Sequence, residues 1–218
     1  MRLHPNHLDP EGFAIRDPLS TTYSGAIETA EEFGKRLYAE AWNRGWSRAK
    51  KKVIMGDGAE WIWNLADLHF PDALQIVDLF HARQHLWDLA RLLYPGQDAP
   101  QRQWILRHQP KLDDGKIEKL VSYLCSLETS SPELTETIRK TAAYFQRNAE
   151  RMRYPAFRRQ HLFVGSGVIE AGCKTVIGSR LKQSGMFWTV RGANAIIALR
   201  CCRLSGRFED YWEARRAV

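Results

Sequence analysis

Residues 53–58 read VIMGDG and residues 73–78 read ALQIVD. Each is a short apolar run closed by an aspartate. Continuous apolar runs of this length, bounded by turn residues, are the pattern of strands buried on both faces. Between them, Trp61, Ile62, Leu65 and Leu68 recur at helical spacing over 59–69, until Phe70-Pro71-Asp72 breaks the helix. After the second run, Leu79, Leu86, Leu89 and Leu93 mark an amphipathic helix over 79–93, stopped by Pro95-Gly96. Strand, helix, strand and helix in this order predict two parallel neighbours joined by a right-handed crossover.

Working outward, the flanks read as helices. Ile27, Ala30, Phe33, Leu37 and Ala41 predict a helix over 24–49, with Ser24 as its cap. Residues 1–22 read as a loop or an edge strand without partners, around Phe13 to Arg16. Residues 100–153 carry no strand signal and predict helices at Trp104–Arg107, Ile117–Leu127 and Pro132–Met152. The last opens on Ser131 as cap with Pro132 at the first position. YPAFRRQHLFVGSG (154–167) reads as a loop. Ser166 would cap a helix from Gly167 to about Ser184, and a last helix runs from about Arg191 to Leu204.

Asp57 and Asp78 each follow a strand and precede a helix. In a parallel unit both lie at the carboxyl ends of neighbouring strands, where ligands gather in open α/β sheets. Each alone is also a good helix cap. Two close carboxylates repel unless a cation neutralises them, and magnesium takes such oxygen ligands together with substrate phosphates. His81 and His85 follow four apart on the next helix; the residues between them, Ala82, Arg83 and Gln84, do not give the zinc-protease pattern. Glu170 stands in the first turn of the helix after GSG, where the helix dipole favours a carboxylate, and Lys174 four residues on offers it a surface ion pair. Three carboxylates holding two metals among basic residues would suit phosphodiester chemistry.

The charge is uneven. Residues 139–218 hold 16 Lys and Arg against 5 Asp and Glu, a net +11, while residues 1–138 carry −4; together they give the +7 of the whole 218-residue chain. The basic part is rich in arginine, including Arg139, Arg147, Arg151, Arg153, Arg158, Arg159, Arg180, Arg191, Arg200, Arg203 and Arg207. Arginine suits bidentate phosphate contacts, so a polyanion, with nucleic acid foremost, is the expected partner; a solvated basic face is the plainer reading. Trp188 could stack on a flipped base, though core packing is the commoner fate of a tryptophan. No apolar run approaches the ~20 residues of a membrane span. The N-terminus lacks the apolar core of a signal peptide. Cys125, Cys173, Cys201 and Cys202 show no metal-type spacing, which fits a reducing compartment.

The segments RDPLSTTYSGAIETAEEFGKRLYAEAWNRGW, VIMGDGAEWIWN, IVDLFHARQHLWDLA, GSGVIEAGCKTVIGSRLKQSGMFW and GANAIIALRCCRLSGRFEDYW resemble insertion-sequence transposases of the ISKra type, within the Mutator-like group of DDE transposases. The resemblance runs from about Arg16 onward. It implies an α/β fold: a ribonuclease-H-like catalytic core, truncated at its N-terminal strands, with an all-α insertion. The expected organisation is an N-terminal loop or edge segment (1–23), the first part of the core (24–99), the insertion (100–160) and C-terminal helices completing the core (161–218).

The resemblance further implies metal-dependent DNA cleavage and strand transfer in DNA transposition, with Mg2+ or Mn2+ as cofactor. By motif, Asp57 resembles the family's second catalytic aspartate, Asp78 and His81 its Asp-x-x-His element, and Glu170 its catalytic glutamate. Asp57 and Glu170 are the implied metal ligands. Arg151, Arg153, Arg158, Arg159, Lys174, Arg180 and Lys182 are the expected DNA contacts. The implied partners are double-stranded DNA, at transposon ends and target, and further copies of the chain in the active assembly, in the bacterial cytoplasm at the nucleoid and not at a membrane.

One departure from the family pattern stands out. The family's first aspartate lies on an earlier strand, and neither Asp9 nor Asp17 follows a convincing one. The chain therefore reads as the C-terminal part of a transposase, with incomplete metal ligation, little strand transfer on its own and uncovered sheet edges. Two other readings stay open. One is an inactive DNA-binding remnant that modulates the full-length enzyme; the other is a metal-dependent nuclease of the same fold.

Overall fold

The computed structural model describes residues 3–8, 14–17, 20–165 and 167–216. In chain order the elements are β1 (Leu3–Leu8), β2 (Ala14–Arg16), α1 (Ala30–Asn43), β3 (Val53–Gly56), α2 (Glu60–His69), β4 (Leu74–Val77) and α3 (Leu79–Leu93). There follow α4 (Asp98–Asp113), α5 (Ile117–Cys125), α6 (Pro132–Arg147), α7 (Tyr154–Arg159), α8 (Gly167–Cys173), α9 (Ser179–Leu181), α10 (Val190–Leu204) and α11 (Phe208–Arg216). The protein is thus mostly helical with small sheets, broadly α/β. Among the described residues no helix is long and apolar enough to cross a membrane. The contacts divide the chain into two compact units, described separately below.

The first, the sheet unit, comprises Val53–Ala66 and Asp72–Ser166. Strands β3 and β4 pair in parallel, in the register Val53↔Leu74, Ile54↔Gln75, Met55↔Ile76 and Gly56↔Val77. The parallel pairing expected from VIMGDG and ALQIVD is present, with α2 between the two strands in the chain. Ile76 and Val77 are fully buried, and α3 lays Leu79, Ala82, Leu86, Leu89 and Ala90 into the same core. Helices α4 to α7 extend that core instead of building another: Trp104, Leu112, Ile117, Leu120, Leu124, Phe145, Tyr154 and Phe157 pack in one cluster with the strands. Ser131 opens α6 as expected, its hydroxyl accepting from the Leu134 amide at 3.2 Å.

Two local differences have clear causes. Helix α4 is longer than Trp104–Arg107 and carries Pro110 in its last turn, so that the break in the ladder is followed by only a few residues. The stretch read as a loop from Tyr154 contains α7, because Pro155 falls at a helix-opening position and Tyr154 and Phe157 bury against the core.

The other unit comprises Met1–Lys52, Asp67–Pro71 and Gly167–Val218 and is called the terminal unit. The stretch ending at Arg16 has a partner: β2 pairs antiparallel with β1, with an irregular register. The Asp17 carbonyl accepts from the amide and hydroxyl of Ser20. Asp9 lies outside the described residues.

Helix α1 begins at Ala30, not at Ser24. Thr29 caps it by accepting from the Glu32 amide at 3.3 Å. The preceding segment has other partners: the Ile27 amide donates to Asn194 Oδ1 at 2.6 Å and the Tyr23 amide to Ser205 Oγ at 2.9 Å. Backbone groups satisfied by α10 and its C-cap have no need of a helix.

The helix expected from Gly167 to Ser184 is broken into α8, a π-helical turn at Lys174–Gly178 and α9. Arg200 donates to the carbonyls of Thr175 and Val176, which draws them out of the regular ladder. Its proposed cap, Ser166, lies outside the described residues. Helix α11 follows Gly206, which takes a left-handed φ of 69°. Val176, Ile197 and Cys201 form a small core of this unit, and all four cysteines are free thiols.

Within the sheet unit, His108 is 2 % exposed, stacked on Tyr123 at 3.8 Å, with Nδ1 2.9 Å from Lys111 Nζ. Burial first, then Lys111 and Arg107, hold it down to about 4. The folded state therefore favours neutral imidazole, whereas the unfolded chain gains a proton below its ordinary value. Stability from this site is full above pH ~6.5 and falls as the pH drops from there toward 4. Thermal melts of His108→Gln across this range are expected to show a shallower acid loss than the parent; an equal slope would refute the assignment.

Candidate functional site

The GDG turn between β3 and α2 holds the first sequence-predicted carboxylate. Asp57 is exposed, and one carboxylate oxygen accepts from the Ala59 amide at 2.9 Å, which fixes its rotamer at the turn. Gly58 follows with a left-handed φ of 94°, and a Cβ there would lie 2.6 Å from the Tyr144 ring. Only glycine satisfies both the backbone sign and the close approach.

Asp78 stands one residue past β4, as Asp57 stands one past β3. The ladder runs on to it: the Asp78 amide donates to the Gly56 carbonyl at 2.7 Å. Asp78 is 4 % exposed and caps α3, Oδ1 accepting from the amides of Phe80 at 2.7 Å and His81 at 3.0 Å. Both cap bonds fall on one carboxylate oxygen. The next residue is also tied down, the Leu79 amide donating to Val164 at 2.8 Å. Gly165 then presses against Phe80, leaving 2.5 Å for a Cβ.

Helix α6 supplies residues that the sequence did not single out. The Tyr144 hydroxyl donates to the Asp57 carbonyl at 2.8 Å. Asn148, buried one turn later, donates to the Gly58 carbonyl at 3.4 Å and to the Tyr144 carbonyl at 3.1 Å. Burial first, then the negative charges of Asp57 and Asp78, push the Tyr144 phenol up, so it stays a donor. Both aspartates thus act on a common neighbour. The available signal was the helical spacing of Tyr144 and Asn148, but nothing local names their partner 87 residues upstream.

His81 is exposed and its ring meets that of His85 edge-on at 5.1 Å. His85 lies on the Tyr144 ring at 4.0 Å. Burial and His81 lower the His85 pKa, against smaller opposing effects of Asp88 and Asp57. His85 is accordingly a packing partner of Tyr144, and His81 is the more accessible imidazole.

The remaining sequence-predicted residues fall into two sets. In the sheet unit, Arg153 donates to Glu118 and to Glu150 at 2.6 Å, and this pairing holds the Glu118 carboxyl down to about 2. Arg151 donates to Gln75 Oε1 at 2.6 Å and lies over the Trp63 ring. Both guanidinium groups are engaged with their own unit. Arg158 is half-buried and Arg159 exposed.

In the terminal unit, Glu170 is exposed in the first turn of α8, and Lys174, Arg180 and Lys182 are exposed after it. Trp188 is not core: it is 36 % exposed, with the Arg180 guanidinium over its ring.

The donor chemistry of the aspartates suits a hard cation. They offer carboxylate oxygen only, and Asp57 does so at an exposed turn, where magnesium could keep its waters. Among the described residues no three His, Cys, Asp or Glu side chains gather as a ready metal group. No protein-family model matches the chain, and neither a curated protein nor a solved structure shows significant similarity to it.

The bracing of the turn by α6 is testable. Tyr144→Phe keeps the ring on Gly58 and removes one hydrogen bond, at an expected cost of about 0.5–1.5 kcal/mol in urea unfolding. Gly58→Ala is expected to cost more, since it adds backbone strain to the clash with Tyr144. The opposite ranking would show that the contact is not what fixes the turn.

Proposed function

We propose that the chain is a catalytic-domain fragment of a DDE transposase with a ribonuclease-H-like core, acting in metal-dependent cleavage and strand transfer of DNA. The observation that supports it most is the register of β3 and β4. It puts Asp57 and Asp78 one residue past the carboxyl ends of parallel neighbours. The sequence resemblance to ISKra-type transposases points the same way and adds Glu170 and His81 as site residues.

In this reading Asp57 holds a magnesium or manganese ion; Glu170, in the terminal unit, is the second metal-binding carboxylate that the resemblance implies. When bound, the metal supplies activation of the attacking oxygen and stabilisation of the leaving oxygen. The chain's own residues hold the site in shape. The Ala59 amide and the Tyr144 hydroxyl fix the Asp57 turn from its side chain and its carbonyl. Asp78 anchors the first turn of α3, which carries His81 outward, where its imidazole can exchange a proton with a phosphodiester oxygen.

A DNA-binding remnant that modulates a full-length enzyme is the second reading, supported by the +11 of residues 139–218. The two differ in metal dependence. Nicking of supercoiled or end-bearing DNA in Mg2+ or Mn2+ is expected to fall at least about a hundredfold in Asp57→Asn, while DNA affinity stays within about twofold. Asp78→Asn retains the cap, so its loss of nicking would report charge rather than folding. Metal-independent binding without any nicking would favour the remnant, and nicking without joining would favour a nuclease.

The basic residues can be sorted by salt dependence. Replacing Lys174, Arg180 and Lys182 by Ala is expected to flatten the plot of log affinity against log salt by about 0.9 for each phosphate left without its cation. Arg153→Ala, whose partners are Glu118 and Glu150, is expected to change it less. The reverse order would move the DNA face to the sheet unit.

A further inference from the structure

Phe187 is 96 % exposed, the most exposed large apolar side chain described. Its ring is presented to solvent on a shaped loop, with an aromatic surface that a partner can cover. The loop has definite geometry. Gly185 turns it with a left-handed φ of 76°, the Met186 amide donates to the Gln183 carbonyl at 3.4 Å, and Thr189 caps α10 by accepting from the Gly192 amide at 3.1 Å. Two residues separate Phe187 from the start of a 15-residue helix.

Its neighbour Trp188 is differently placed. Arg180 covers one Trp188 face, 6.0 Å from the ring centre, and Trp188 also reaches toward Gly192. Phe187 has both faces open. Exposed Lys182 and Arg191 lie five residues before and four after it on the chain. An open aromatic face with cations a few residues away on the chain is the chemistry of single-strand binding, in which a base stacks on the ring and the charges hold the phosphates. A lipid-inserting loop would have the same ring and cations. The surplus of arginine over lysine in residues 139–218 favours the planar, bidentate recognition of phosphodiesters.

We infer that the loop of residues 182–189 presents Phe187 as a stacking platform for an unpaired base of a DNA strand, with Lys182 and Arg191 on the adjoining phosphates. This rests on the DNA reading of the preceding section. Phe187 belongs to the terminal unit and Asp57 and Asp78 to the sheet unit; the proposal concerns which DNA structure is held and not the chemistry done to it.

The test uses the whole chain and two probes: a duplex with a four-nucleotide single-stranded gap carrying 2-aminopurine, and a flush duplex of equal length. The parent is expected to quench the 2-aminopurine and to prefer the gapped probe. Phe187→Ala is expected to lose the quenching and about tenfold in gapped-probe affinity, with flush-duplex affinity unchanged. Phe187→Trp is expected to restore both. Unchanged quenching in Phe187→Ala, with DNA still bound, would overturn the stacking role and leave the DNA reading standing. No binding to either probe by the parent would overturn both. Phe187-dependent binding to phosphatidylserine–phosphatidylcholine vesicles, without preference for the gapped probe, would assign the loop to a lipid surface instead.

Discussion

The parallel pairing of β3 with β4 is the constraint on which the sheet unit rests. Its ladder does not stop at Val77: the Asp78 amide still reaches the Gly56 carbonyl. That extra bond fixes where the chain leaves the sheet, and so where α3 can start. The two aspartates inherit equivalent places from it. Around this short pair, helices α3 to α7 supply most of the apolar cover, since two four-residue strands bury too little by themselves.

Environment then separates two carboxylates of identical chemistry. Asp78 is buried and its cap orders the first turn of a helix. Asp57 is exposed on a turn held from behind by Tyr144 and Asn148. A buried, hydrogen-bonded carboxylate gives rigidity, and an exposed one remains accessible to a cation or a substrate. The aromatic ring between Gly58 and His85 joins the two in one packed set.

Much of this was legible in residues 53–93. The apolar runs, their aspartates and the breaker at Pro71 define β3, α2, β4 and α3 nearly to the residue, because each signal is local. Thr29 was missed as a cap because the displaced segment is held by Asn194 and Ser205, far along the chain. Helix α11 was missed because its polar residues carry little periodicity. Tyr144 and Asn148 were invisible for the same reason as Asn194: a helix face announces that it is buried, not what it is buried against. The engagement of Arg151 with Gln75 and Trp63 and of Arg153 with Glu118 is equally non-local, and charge counting treats both as solvent-facing cations.

The brace on Asp57 also sets an order of events. Its bonds close loops of 87 and 90 residues, so they depend on chain that is synthesised long after the turn itself. Local structure such as α3 can form early, but the GDG turn reaches its final shape only when α6 docks. Before that the turn has only its local bond, from the Ala59 amide to Asp57, and its brace waits on a long-range closure. Changes in the helices between α3 and α6 would therefore alter how fast the site is completed even where they touch none of its residues.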